Sequence, residues 1–138
     1  MLTENRVLHS LGVARKCYNI AKERKHSEDF CKKMWFIGYA HDIGYEFVEP
    51  ENHSTESASM LASFGCTDYN ILTAVKSHSR AINTHNEIWE ILTLADMQIN
   101  SQGNEVTIEK RLEDIKSRYG KVSKEYKAAL KVMEVLKK

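Results

Sequence analysis

An all-α, single-domain helical bundle is the fold class this sequence predicts, and three observations carry it. Apolar residues recur at helical rather than alternating spacing along most of the chain. There is one proline, Pro50, and little alternation of β-branched residues, which argues against a sheet. The 138 residues, 42% hydrophobic and 28% charged, are enough for one real core and ordinary for a globular domain.

Seven helical segments are expected in order. The first runs from about Thr3 to Lys25. Val7, Leu11, Ala14, Tyr18 and Ala21 form its apolar stripe, widened by His9, Val13, Cys17 and Ile20, while Arg15, Lys16, Asn19 and Lys22 face water. The second starts at Ser27, an N-cap residue followed by acidic Glu28 and Asp29, and ends around His41-Asp42, where Gly44 can terminate it. A loop, Tyr45 to Asn52, precedes a third helix over Ser54 to Phe64 that stops at Gly65. The fourth, Asp68 to Ser79, carries Ile71, Val75 and His78 on one face. Polar Arg80 to Asn86 leads into a fifth, Glu87 to Asn100.

Ser101 to Asn104, small, polar and glycine-containing, is the clearest break in the chain. Beyond it Thr107 caps a sixth helix bearing Ile108, Leu112, Ile115 and Tyr119 and closed by Gly120. Ser123 begins a seventh with Tyr126, Ala129, Met133 and Leu136. The expected organisation is one domain over 1–138. Residues 1–100 form its core, and 105–138 form a helical extension with a solvated, mixed-charge face.

Composition excludes several function classes. A formal net charge of +1 provides no bulk attraction to duplex nucleic acid or acidic membrane. The longest apolar run, Met34 to Ala40, is far too short to span a bilayer. Met1 to Arg6 leads straight into a helical pattern with no signal-peptide character. Cys17, Cys31 and Cys66 are odd in number, widely spaced and without a C-x-x-C pair, so neither a disulfide scaffold nor a zinc-thiolate site is expected. Cys17 and Cys31 fall in apolar helical patterns and should pack as small hydrophobes. The expectation is a reduced, cytoplasmic setting.

Chemistry concentrates in four residues. Phe30, Met34, Ile37 and His41 share one helical face, so an imidazole with Asp42 beside it arrives where core residues belong. Asp96 lies on the apolar side of its helix, near Trp89, Leu92, Thr93 and Ile99. His9 sits on the first helix in the same way. A buried carboxylate is costly unless paired, neutralised or bound to a metal. Two imidazoles and two carboxylates without a thiolate suit an octahedral divalent ion (manganese, iron, cobalt, magnesium or nickel) better than structural zinc. Such an ion, with a coordination position open, lowers the pKa of water and offsets charge on a phosphoryl oxygen.

In order, Arg6-x-x-His9-Ser10-x-x-Val13, Gly38-Tyr39-Ala40-His41-Asp42-Ile43-Gly44 and Leu94-Ala95-Asp96 resemble the H…HD…D signature of the HD-domain metal-dependent phosphohydrolase superfamily. The resemblance covers about Arg6 to Asn100. It implies an all-α fold, a divalent metal on His9, His41, Asp42 and Asp96, and hydrolysis of phosphate esters, often nucleotides. His53, at the start of the third helix, and His78, at the end of the fourth, resemble the extra ligands of the binuclear branch, in which the counterpart of Asp42 bridges two ions. Small bacterial members acting on dinucleoside polyphosphates are similar in this layout. Here, however, Ser79, Arg80 and Ala81 stand where that branch tends to carry threonine and glycine.

Phosphate also needs cationic partners. Arg6 lies one turn before His9 and Arg80 follows His78 by two; either can clamp a phosphate through the guanidinium fork. Glu46, past the HD pair, resembles the family's water-orienting acids. His85, in a polar loop, is a further candidate ligand, and His26 reads as a surface residue. The expected activity is hydrolysis of a small phosphorylated molecule by one or two divalent ions in a monomer or homodimer. The alternatives are a nucleotide- or metal-binding regulatory module without turnover, and a di-iron oxygenase on the same scaffold.

Overall fold

The computed structural model describes residues 4–43, 53–78, 81 and 86–136, and among them it is all helical. The order is α1 (Glu4–Glu23), α2 (Glu28–Ala40), α3 (His53–Ser63), α4 (Tyr69–Lys76), α5 (Glu87–Asp96), α6 (Ile108–Tyr119) and α7 (Lys124–Leu136). Among the described residues, the one departure from helix and turn is an isolated antiparallel bridge between Ile99 and Glu105.

The caps follow from the residues at the helix ends. Ser27 accepts from the Phe30 amide, Asp68 from those of Asn70 and Ile71, Asn86 from that of Trp89, and Thr107 from that of Lys110. Each satisfies amides that the first helical turn leaves without partners. The Asn86 side chain also donates to the Asn70 carbonyl at 3.1 Å, tying α5 to α4.

Helices α1 and α2 form the most extensive pair, and α5 packs across both. The close approach depends on Gly38: a Cβ there would lie 2.9 Å from the Ala14 Cα and 3.0 Å from the Cys17 sulfur. Helix α4 packs on α5, and α3 pairs with α4. The main core draws on α1 to α5 through side chains such as Val13, Met34, Leu61, Val75, Trp89 and Leu92, and takes in Val132 of α7. A smaller cluster of Met97, Ala129 and Met133, with Leu112 and Ile115 against it, holds α6 and α7.

Several boundaries and faces differ from expectation. The buried side of α1 centres on His9, Val13, Cys17 and Ile20, whereas Val7, Leu11 and Tyr18 are only half-buried. The fourth helix ends at Lys76 instead of Ser79, because Ser77 leaves helical geometry at ψ 17°. Likewise α5 stops at Asp96, and Ile99 turns away to pair with Glu105. Lys16 is drawn from the expected water-facing side into an ion pair with Glu105. His26 is engaged rather than simply exposed: it stacks on Phe30 and lies 2.9 Å from Glu87, which also pairs with Arg24. Cys17 and Cys31 are buried free thiols, as the patterning requires. Gly44 lies outside the described residues.

Candidate metal centre

Six side chains from five helices or their ends meet at one place. His9 comes from α1, His41 and Asp42 follow the end of α2, His53 opens α3, His78 lies two residues past α4, and Asp96 ends α5. The Nε2 atom of His9 lies 2.8 Å from Oδ1 of Asp96, and that of His41 lies 3.5 Å from the same oxygen. The Asp42 carboxylate divides the cluster. Its Oδ2 faces His41 at 3.1 Å and His9 at 3.8 Å, while its Oδ1 faces His53 at 3.1 Å and His78 at 3.2 Å. The two imidazoles on that second side approach to 3.0 Å, Nε2 to Nε2. All six residues are buried or nearly so; His41 is fully enclosed.

The other ring nitrogens set the chemistry. Nδ1 of His9 donates to the Asn100 carbonyl at 3.0 Å, that of His41 to Gly38 at 2.6 Å, and that of His78 to Val75 at 2.7 Å. A carbonyl oxygen can only accept, so each Nδ1 carries a proton, and a ring without a second proton turns a bare Nε2 lone pair inward. Those lone pairs then face carboxylate oxygens, which also only accept. His41 Nε2 and Asp42 Oδ1 are buried without a hydrogen-bond partner. Such an arrangement is repulsive unless positive charge lies among the atoms, and it is the usual setting of a metal-ligating histidine.

Without an ion, the neighbouring carboxylates favour the protonated form of His41. Burial disfavours a charged His41, but Asp42 beside it, with further contacts to Asp42 and Asp96, raises its pKa well above the usual imidazole value. Burial likewise pushes Asp42 and Asp96 up. The facing histidines outweigh it, and both carboxyls sit well below the ordinary carboxylate range. The donor set therefore fits a divalent cation. The ligand atoms of His9, His41 and Asp96 lie within 4.8 Å of one another, as do those of His41, Asp42 and His78.

All six metal-ligating candidates converge. Arg6 is half-buried on α1 one turn before His9. Arg80, Glu46 and His85 lie outside the described residues. A groove of about 670 Å³ between α3 and α4, lined in part by Thr55, Ser59, Tyr69 and Lys76, is separate from the centre. Thr55 is two residues past His53, about 200° round the helix, so that wall faces away from the imidazole.

Sequence reasoning missed the supporting residues. The indole of Trp89 donates to the Ser77 carbonyl at 2.9 Å and steadies the segment that carries His78. Asn100 supplies the carbonyl for His9, and Arg111 donates to the adjoining Ile99 carbonyl at 2.8 Å. The Asn100-to-Gly103 stretch carried a turn signal, since asparagine side chains hydrogen-bond their own backbone two residues on. No periodicity marks Arg111, whose helix α6 has no fully buried residue.

No curated protein and no solved structure matches this chain. The model of the HD domain matches residues 6–134, which extends beyond Asn100 to take in α6 and most of α7. The chain belongs to the HD-domain family, the metal-dependent phosphohydrolase superfamily.

Proposed function

We propose that this protein hydrolyses a small phosphate ester, a nucleotide or related phosphorylated metabolite, using two divalent ions held by His9, His41, Asp42, His53, His78 and Asp96. The observation that carries the reading is the Asp42 carboxylate, with one oxygen toward His9 and His41 and the other toward His53 and His78. A side chain so placed would hold an ion on each side. His9, His41 and Asp96 complete one side, and His53 and His78 the other.

Bound divalent ions would supply Lewis acidity toward a phosphoryl oxygen and lower the pKa of water to make a nucleophile. The chain's own residues do the rest. The carbonyls of Asn100, Gly38 and Val75 hold His9, His41 and His78 in the liganding tautomer. Burial of the carboxylates excludes competing water and strengthens their attraction for cations. Arg6, on the side of α1 that carries His9, binds a non-bridging phosphate oxygen, and Arg80 is its counterpart near His78. Glu46 orients the attacking water. Among the described residues no helix is long and apolar enough to cross a membrane.

The test is metal analysis of protein purified without chelator, beside Asp42→Ala, followed by a panel of nucleotides and phosphate esters. Two equivalents of metal lost together in the variant, and phosphate release by the wild type alone, are expected. Metal content that Asp42→Ala leaves unchanged would sink the reading. Nucleotide binding without product would favour a regulatory module, and oxygen consumption with bound iron would favour an oxygenase.

A further inference from the structure

We infer that the turn at 100–104, shaped by the Asn100 side chain and latched by Arg111 of α6, is the device that positions His9 in the metal centre. The inference rests on the reading of His9 as a ligand and adds that the grip on the ion runs through α6.

The three inward-facing histidines with known Nδ1 partners are not held alike. His41 and His78 follow helix ends and donate to carbonyls three residues upstream, Gly38 and Val75. Carbonyls in a last turn lack helical partners, so these locks are local and come with the helix. His9 lies within the first half of α1, where the nearby carbonyls are spent on the helix ladder. Its Nδ1 proton needs an acceptor from elsewhere, and the Asn100 carbonyl provides it at 3.0 Å.

That carbonyl is held on several sides. The Asn100 side-chain oxygen accepts from the amides of Gln102 at 2.9 Å and Asn104 at 3.0 Å, and the Asn100 amide donates to the Asn104 carbonyl at 2.9 Å. The turn is seated directly on α1. Gly103 has φ +81°, and a Cβ there would lie 2.3 Å from the carbonyl oxygen of Leu8, the residue before His9. Arg111 then fixes the segment entering the turn through its 2.8 Å bond to Ile99. Val106, bonded to the Gln98 carbonyl at 2.8 Å, fixes the segment leaving it. Asn100 and Arg111 are thus positioning residues: they touch neither ion nor substrate.

The experiment titrates Co²⁺ into metal-free wild type, Asn100→Ala, Arg111→Met and Arg111→Lys. It reads affinity by competition with a chromophoric chelator and ligand geometry by the visible Co²⁺ spectrum. Loss of a partner behind a metal ligand typically costs about 10–100-fold in affinity. Asn100→Ala should fall in that range with shifted cobalt bands, Arg111→Met should lose about tenfold, and Arg111→Lys should recover part of it. Helix content by circular dichroism is followed alongside. If Asn100→Ala or Arg111→Met loses its fold, Arg111→Lys decides, with weakened binding and altered bands supporting the inference. Variants that stay folded and bind Co²⁺ as tightly as wild type with unchanged bands overturn it while leaving the metal reading intact. Wild type that takes up no Co²⁺ overturns both.

Discussion

The Nε2 atom of His9 lies 2.8 Å from Oδ1 of Asp96, joining residues 87 positions apart along the chain. With the His9 Nδ1 proton committed to the Asn100 carbonyl, this is a meeting of two acceptors. A cation or an extra proton must lie between them, and the centre's solution behaviour follows from that.

Replacing Asp42 tests the shared centre. Asp42→Asn keeps the volume but removes the charge from a carboxylate whose two oxygens serve opposite sides. It should abolish stoichiometric binding at both positions, a loss beyond the roughly 100-fold upper range for residues behind a ligand. Metal content by mass spectrometry of the purified protein checks it, and one ion retained at wild-type affinity would contradict a bridging role.

The pH response has a definite sign. His41 is raised above its ordinary value of 6.5, so its contribution to metal-free stability is complete below that pH and is lost as pH rises through the raised value. Asp42 and Asp96 are lowered below 3.8, so theirs is present above that pH and is lost as pH falls through the lowered values. Metal-free protein should therefore melt at lower temperature on the alkaline side, and a divalent ion should restore it. Metal affinity should rise by roughly tenfold per pH unit for one displaced proton until His41 is neutral. Calorimetry in buffers of different ionisation enthalpy counts that proton; no proton release near neutral pH would contradict a charged His41.

Gly38→Ala probes the α1–α2 contact that brings His9 to His41. The added methyl would meet the Ala14 backbone at 2.9 Å, which cannot swing aside as a flexible side chain could. Overpacking of this kind costs about 1–3 kcal/mol, to be read from urea unfolding of the metal-free protein. Metal affinity should fall with it, because α2 carries the HD pair. Unaltered stability would mean that the helices part more easily than their packing indicates.

Asp68→Ala removes the cap of α4, whose side chain accepts from the amides of Asn70 at 2.9 Å and Ile71 at 3.3 Å. The loss should be about 1 kcal/mol. Because His78 sits just beyond this eight-residue helix, the second metal equivalent should weaken more than the first. Stepwise metal titration distinguishes the two, and equal weakening of both would remove the link between α4 and one side of the centre.

The chain's order of residues was enough to expect the seven helices found among the described residues and the six side chains that converge there. Apolar spacing at 3.6 residues places a helix wherever it occurs, and cap residues such as Ser27, Asp68 and Thr107 announce its start locally. His41, Asp42 and Asp96 were legible for a related reason: ionisable groups on apolar faces demand a partner. Helix ends were less legible. The departure after Asp96 goes with the pairing of Ile99 to Glu105, a contact that local propensity is too weak to decide.

Only tertiary structure decided how the donors are oriented and divided. Which ring nitrogen of His9 keeps its proton depends on a carbonyl at Asn100, brought there by a turn pressed against Leu8 and fastened by Arg111. That Asp42 faces two pairs of histidines depends on α4 packing on α5 and α3 pairing with α4. Hydrogen bonds and ligand contacts of this kind join positions remote in sequence, and their geometry is set by the packing of several helices at once. The amino-acid order determined which ionisable groups needed partners; the fold determined which partners each one met.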